Sequence, residues 1–253
     1  MGETLSIINV VSKTNRGINM ENIQTQNIIN DKQLQREKKR ALPFYCKGEE
    51  IFNAVTHIVG GGLSIIFSIV AFVLVSFNPS PNKYAAVAIY SFTMITLFTI
   101  SSIYHFLRRN RAKKVFRILD HCTIFLLIAG CYTPFCLISF YGSPLGIAMF
   151  CIEWGLAIIG ISLNGVNMHW KAVKIFSNIA YVVMGWLAIF FMPWFVEVLP
   201  LPSLIFLIAG GVAYTVGIIF YATGKKKKWM HSIWHLFVVL GAILQFVSIL
   251  YIL

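Results

Sequence analysis

The chain has 253 residues, of which 58% are hydrophobic and only 12% are charged, and its formal net charge is +12. With a mean hydropathy of +0.76, this composition excludes an ordinary soluble globular domain. A nucleic-acid partner is not expected either, because the Lys and Arg residues form short clusters between apolar runs. The five cysteines form no CxxC pair and their odd number leaves no complete disulfide framework, so we interpret them as small buried hydrophobes.

Residues 1–44 are rich in polar and charged side chains and lack the continuous apolar core of a signal peptide. We expect them to form a flexible or interfacial cytoplasmic tail. Residues 45–253 are predicted to form one membrane domain, because each apolar run reaches the roughly 20 residues that cross a bilayer. The fold class is therefore all-α, a polytopic membrane protein with a bundle of seven transmembrane helices. The spans are predicted near residues 53–77, 84–107, 118–140, 145–163, 174–195, 202–222 and 231–252.

The charges of the loops predict the orientation of these spans. Lys and Arg cluster after the second, fourth and sixth spans, within residues 108–117, 171–174 and 225–228. The alternate segments, 77–83, 141–144 and 197–202, are turn-forming and together carry one Lys and one Glu. Because positively charged loops remain in the cytoplasm, we expect a cytoplasmic N-terminus and an external C-terminus.

The polar residues of three predicted spans lie at the same, cytoplasmic end. His105, Asp120 and His231 each lie three residues inside a basic cluster, which is about 4.5 Å along a helix axis. Ionisable side chains within spans are costly and usually face the interior of the bundle. Three elements far apart in sequence therefore bring two imidazoles and a carboxylate to a common depth.

The spacing within the second and seventh spans indicates a metal site. His231 and His235 are four residues apart and so lie on one helix face, and Ser101 and His105 share a face in the same way. Three histidines with a fourth position left open have the composition of a catalytic zinc site. Each pattern alone has another explanation: the histidine pair can lie at the headgroup level, and Asp120 can be a helix-start charge.

Four segments resemble the motifs of the bacterial hemolysin III family, which is related to the progestin and adipoQ receptors and, more distantly, to alkaline ceramidases. They are EIFNAVTH at 50–57, SSIYH at 101–105, LDHCTIFLLIAGCYTP at 119–134 and HSIWHLFVVLGAILQF at 231–246. The resemblance extends from about residue 45 to the end of the chain. It implies a protein of the bacterial plasma membrane that holds a zinc ion through His105, His231 and His235. It also implies that Asp120 and Ser101 hold the metal-bound water.

Four other polar residues lie in or beside the predicted spans. Glu50, Asn53 and His57 match the motif that enters the first span, and they either brace the ligating histidines through hydrogen bonds or anchor the helix at the interface. Glu153 lies near the middle of the fourth span, where we expect it to be neutral or paired with another helix.

The leading functional hypothesis is a zinc-dependent hydrolase that cleaves an amide or ester bond of a membrane lipid, with Asp120 and Ser101 as catalytic residues. One alternative is a cytolytic or pore-forming protein, as the family name implies. Direct action as a secreted toxin is not expected, because seven lipid-length spans leave no water-soluble precursor state. The other alternative is a receptor or sensor with a structural zinc, by analogy with the eukaryotic relatives.

Overall fold

The computed structural model describes residues 42–224 and 227–253, together with positions 26 and 30, and Pro43–Leu253 form one compact unit. The predicted tail therefore lies almost wholly outside the described residues and remains a prediction. The described part is helical and contains no strand. Its α-helices are α1 (Lys47–Phe77), α2 (Pro81–Phe106), α3 (Arg111–Pro134), α4 (Pro144–Asn167), α5 (Lys171–Gly185), α6 (Leu187–Phe190), α7 (Met192–Val198), α8 (Leu201–Thr223) and α9 (Met230–Leu250), and a π-helix, Phe135–Ser139, continues α3.

Within the described residues, six helices are long and apolar enough to cross a membrane: α1, α2, α3 with its π-helical extension, α4, α8 and α9. They coincide with six of the predicted spans. The all-helical, multi-pass class is thereby confirmed. The count of seven spans and the direction of the termini remain predictions.

The remaining predicted span, 174–195, is not one helix, because α5, α6 and α7 replace it with breaks at Trp186 and Phe191. Pro193 favours a new helix start, since proline has no N–H and is tolerated only in a first turn. The hydroxyl of Tyr132, from α3, accepts a hydrogen bond from the backbone N–H of Ala188 at 3.0 Å and donates one to the carbonyl of Gly185 at 3.3 Å. A side chain thus satisfies backbone groups that would otherwise be unpaired at the break.

Helices α2, α3 and α4 begin where the sequence supplies a capping residue or a proline. The side chain of Asn110 accepts a hydrogen bond from the backbone N–H of Lys113 at 2.9 Å, which starts α3. Ser143 caps α4 in the same way through Gly146 at 3.1 Å. Pro81 occupies the first turn of α2, where its missing N–H costs nothing. The cap at Asn110 explains why α3 begins within the basic segment that follows α2.

Close packing of α2 on α3 depends on one glycine. A Cβ atom built on Gly130 would lie 2.0 Å from the hydroxyl oxygen of Thr93. The two backbones can therefore approach only because this position has no side chain. This contact fixes α2, which carries His105, against α3, which carries Asp120.

Candidate metal centre

The structure brings together the three histidines that the sequence singled out. His105 lies at the end of α2, whereas His231 and His235 lie in the first two turns of α9. All three are buried, and their ligand nitrogens lie within 4.8 Å of one another. The ring centroid of His105 is 5.4 Å from that of His231 and 4.7 Å from that of His235.

The chemistry of these nitrogens fits a zinc ion. The Nε2 atoms of His231 and His235 are 3.2 Å apart, and two nitrogens bound to one tetrahedral zinc at roughly 2.0–2.1 Å would lie about 3.3 Å apart. The Nε2 atom of His105 is buried and has no hydrogen-bond partner among the described residues. A buried imidazole nitrogen without a partner is costly. A cation bound by these nitrogens would remove that cost.

A buried ion pair orients the ring of His105. Its Nδ1 atom lies 2.8 Å from one carboxylate oxygen of Glu50, near the start of α1. The other oxygen of Glu50 accepts a hydrogen bond from the ammonium of Lys113 at 2.7 Å. Because an ionised carboxylate can only accept, the Nδ1 atom of His105 must carry the proton. Its Nε2 atom is then the bare nitrogen, as metal coordination requires.

The neighbouring carboxylate, Glu49, fixes the start of the helix that carries the other two histidines. It accepts hydrogen bonds from the backbone N–H groups of Trp229 and Cys46. Trp229 immediately precedes α9 and has a left-handed backbone with φ of 66°, which is unfavourable for a bulky residue. The Glu49 bond helps to hold this turn. Two adjacent glutamates of α1 thus each anchor one part of the histidine cluster.

Asp120 and Ser101 lie beside the cluster, on the wall of a cavity of about 80 Å³ that His231 and His235 also line. The hydroxyl of Ser101 donates a hydrogen bond to the carboxylate of Asp120, and Arg117 lies near enough to interact electrostatically with that carboxylate. A carboxylate in this place can accept a proton from a small molecule within the cavity. It is not a member of the three-histidine cluster.

Tyr45 covers the cluster and was not predicted as a site residue. Its ring stacks on the ring of His231, with centroids 4.7 Å apart and planes inclined by 18°. Burial raises the pKa of its hydroxyl above the ordinary range, so this group is a neutral hydrogen-bond donor at physiological pH. Tyr45 lines the same cavity as Asp120.

His57, Asn53 and Glu153 were also singled out in the sequence, and all three are buried. His57 lies under the cluster, with its ring centroid 3.9 Å from that of His235. Asn53, one turn earlier, is fully buried. Neither side chain has a hydrogen-bond partner among the described residues, so the structure assigns no bracing bond to them. The same holds for Glu153, which is fully buried without the expected partner in the described part of the chain.

Lys113 was not predicted as a site residue either, because it lies in the basic cluster 108–117 that indicated the orientation of the spans. It is 1% exposed. A signal was present, since Lys113, Arg117 and Asp120 follow the helical spacing of four and three residues and therefore share one face of α3. Tyr45 carried no such signal, because it precedes the first helix.

A second, larger cavity adjoins the first. Its volume is about 450 Å³, and its walls are mostly apolar. Both cavities are lined by Leu97, Ile124, Tyr221, Trp234 and Val238. The broken segment around Trp186 forms part of the wall of the larger cavity. An apolar chamber within the helix bundle therefore leads to the histidine cluster.

Comparison with known proteins gives the family of this chain. The family model described as haemolysin-III related matches residues 45–246. The chain is 39% identical over 217 residues to Hemolysin-3 of Bacillus cereus, which covers 85% of this chain and 96% of that protein. It is 36% identical over 211 residues to the Hemolysin-3 homolog of Bacillus subtilis (strain 168), with 80% and 93% coverage.

A more distant similarity extends to the progestin and adipoQ receptor family. The human monocyte to macrophage differentiation factor is 27% identical over 168 residues, which cover 64% of this chain and 67% of that protein. The region that matches the family model contains both motifs that build the histidine cluster, Ser101 with His105 and His231 with His235. The chain therefore belongs to the haemolysin-III-related family of multi-pass membrane proteins.

Proposed function

We propose that this protein is a zinc-dependent hydrolase that cleaves an amide or ester bond of a membrane lipid. The observation that carries the proposal is the convergence of three buried imidazoles beside the Asp120 carboxylate, at the end of an apolar chamber. Three histidine ligands leave a coordination position open, which is the composition of catalytic and not of structural zinc sites. His105, His231 and His235 would hold the ion.

Each residue has a defined chemical task in this proposal. Bound zinc supplies a Lewis acid and lowers the pKa of a coordinated water to about 7. Asp120 accepts the proton of the attacking water, since it lines the same cavity as His231 and His235. Ser101 keeps that carboxylate in place through its hydrogen bond. The ring of Tyr45 covers His231 and limits the access of water to the histidine cluster.

The larger cavity supports a lipid substrate. Its volume of about 450 Å³ lies within the range of roughly 300–1,000 Å³ that small-molecule sites occupy. Its mostly apolar walls suit a hydrocarbon chain, whereas the ionisable residues Asp120, His231 and His235 line the smaller cavity that adjoins it. A lipid whose chain enters the larger cavity would present its linking carbonyl near Asp120.

The proposal includes the topology derived from the loop charges, with seven spans and the histidine cluster on the cytoplasmic side. The segment α5–α7 would form the fifth span, although it is broken, because backbone at a break is tolerated where it lines a cavity. Reporter fusions after Arg111 and Lys171 should report the cytoplasm, and fusions after Pro81 and Ser143 the exterior. An external signal after Arg111 would contradict the orientation.

The direct experiment combines metal analysis with lipid turnover. Protein purified in mild detergent should contain one zinc per chain, and a panel of lipid amides and esters should include a substrate whose hydrolysis stops with a chelator and returns with zinc. His105→Ala should lose both zinc and turnover. Protein that holds one zinc per chain but hydrolyses no member of the panel would favour the structural-zinc alternative.

The names of the two Bacillus relatives favour a second candidate, a cytolytic protein. Vesicles loaded with a fluorescent dye separate the two functions. Leakage that persists in His105→Ala, with no lipid product, would support direct lysis. Leakage that appears only together with product would make lysis a consequence of lipid hydrolysis.

A further inference from the structure

We propose that Lys113 is a positioning residue of the histidine cluster, which fixes His105 through Glu50. This inference rests on the proposed zinc site and adds to it a second residue of α3, the helix that carries Asp120. Lys113 touches none of the three nitrogens that would bind the ion. Its effect on the direction of the His105 Nε2 atom passes through the carboxylate of Glu50.

Among the described residues, the ammonium of Lys113 has one acceptor for each of its three N–H donors. It lies 2.7 Å from a carboxylate oxygen of Glu50, 3.1 Å from the carbonyl of Leu107 and 3.4 Å from the carbonyl of His105. Three donors therefore have three acceptors. The same group also lies 5.0 Å from the ring centroid of Tyr104. Lys113 is 1% exposed, so solvent cannot replace these bonds.

These bonds constrain His105 from two sides. Its backbone is held at the end of α2, where the last carbonyls of a helix lack intrahelical donors. Its ring is held through Glu50, whose two oxygens are divided between Lys113 and the Nδ1 atom of His105. Without the lysine, Glu50 would keep only one of these two partners and could rotate. The direction of the bare Nε2 atom would then be less defined.

A lysine in this position also requires an explanation, because burying a charge is costly unless it is paired and hydrogen-bonded. Stability alone does not call for it, since apolar residues of similar volume often serve as well as a buried ion pair. Orientation of a ligand does call for it, because partners of metal-ligating histidines typically change metal affinity by about 10–100-fold. We therefore expect Lys113 to act on zinc affinity in addition to any effect on folding.

The chain offers a matched control for the experiment. Lys114 follows in the same helix and is exposed, so Lys113→Met and Lys114→Met remove the same charge from a buried and a solvated position. Zinc affinity is measured by competition with a chromogenic chelator, and unfolding is followed on the chelator-treated protein. We expect Lys113→Met to bind zinc about 10–100-fold more weakly, and Lys114→Met to bind it as the wild type does.

A double-variant comparison distinguishes positioning from general support of the fold. If Lys113 acts through Glu50, Lys113→Met should have almost no further effect on zinc affinity in a Glu50→Gln background, because their shared path is already lost. Lys113→Arg, which keeps the charge and the donors, should retain most of the affinity. If Lys113→Met alone does not fold, Glu50→Gln can still be compared with the double variant. The double variant removes both charges of the pair and therefore leaves no unpaired charge behind.

The outcomes are separable. Wild-type affinity in Lys113→Met, or losses that multiply in the double variant, would overturn the positioning role while the zinc site stands. A wild-type protein that binds no zinc would overturn the proposed function, and the positioning role with it.

Discussion

Substitution of Asp120 by Asn separates a catalytic role of this carboxylate from a structural one. Asn has almost the same volume and retains one oxygen that can accept the hydrogen bond of Ser101, but it cannot accept a proton from water. The change weakens one hydrogen bond and removes the attraction of Arg117, but it also removes a buried charge, so the free energy of unfolding should fall by no more than about 1 kcal/mol. Loss of a general base lowers turnover by about 10²–10⁴-fold, which corresponds to about 2.7–5.4 kcal/mol of activation free energy.

The two effects are therefore different in size and can be measured on one preparation. Zinc content, thermal unfolding and hydrolysis of the identified lipid are compared for the wild type, Asp120→Asn and Ser101→Ala. We expect the Asn variant to keep its zinc and its unfolding temperature while turnover falls. Ser101→Ala should lose less activity, because it only positions the carboxylate. Zinc loss in Asp120→Asn would instead place Asp120 among the ligands, and full turnover with zinc retained would refute its role as a base.

Three further changes test other parts of the structure. His235→Ala removes one of three ligands and should weaken zinc binding by about 10²-fold or more. As a control, His169→Ala changes a histidine in the loop after α4 and should leave the zinc content of dialysed protein unchanged. Equal loss of zinc in both variants would show that the ligands were misassigned. Glu49→Gln leaves only one acceptor oxygen for the two backbone N–H groups that Glu49 binds, so it should lower the free energy of unfolding by about 2 kcal/mol. An unchanged unfolding temperature would argue against the anchoring role of Glu49. Gly130→Ala places a Cβ 2.0 Å from the hydroxyl oxygen of Thr93 and should cost about 1–3 kcal/mol, part of which Thr93→Ala should restore in a thermal unfolding assay.

The proximity of the three histidines was predictable because helix geometry fixes how far along the helix a residue lies and on which face its side chain stands. A rise of about 1.5 Å per residue placed His105 and His231 at one level, and four-residue spacing placed His235 on the same face as His231. The structure has their ligand nitrogens within 4.8 Å of one another. Asp120 followed by the same argument and lies on the wall of the adjoining cavity.

Features that depend on how helices rotate against each other were not predictable from composition. Helical spacing places Lys113, and not Lys114, on the same face of α3 as Asp120, but it does not show that Lys113 contacts Glu50 of another helix. The break in the fifth predicted span depends on the hydroxyl of Tyr132, a residue more than 50 positions earlier in the chain. Hydropathy averages report length and polarity, and neither quantity contains such tertiary contacts.

The hydrogen bond between Glu49 and Trp229 joins residues that are 180 positions apart, and it has a consequence for biosynthesis. The helix that carries His231 and His235 is the last described helix, so it leaves the ribosome after all the others. While synthesis proceeds, His105, Glu50 and Lys113 have no second half of the cluster to meet. An ion that needs all three histidines could be acquired only after α9 has inserted beside α1, which would make metal loading one of the last events in the maturation of the chain.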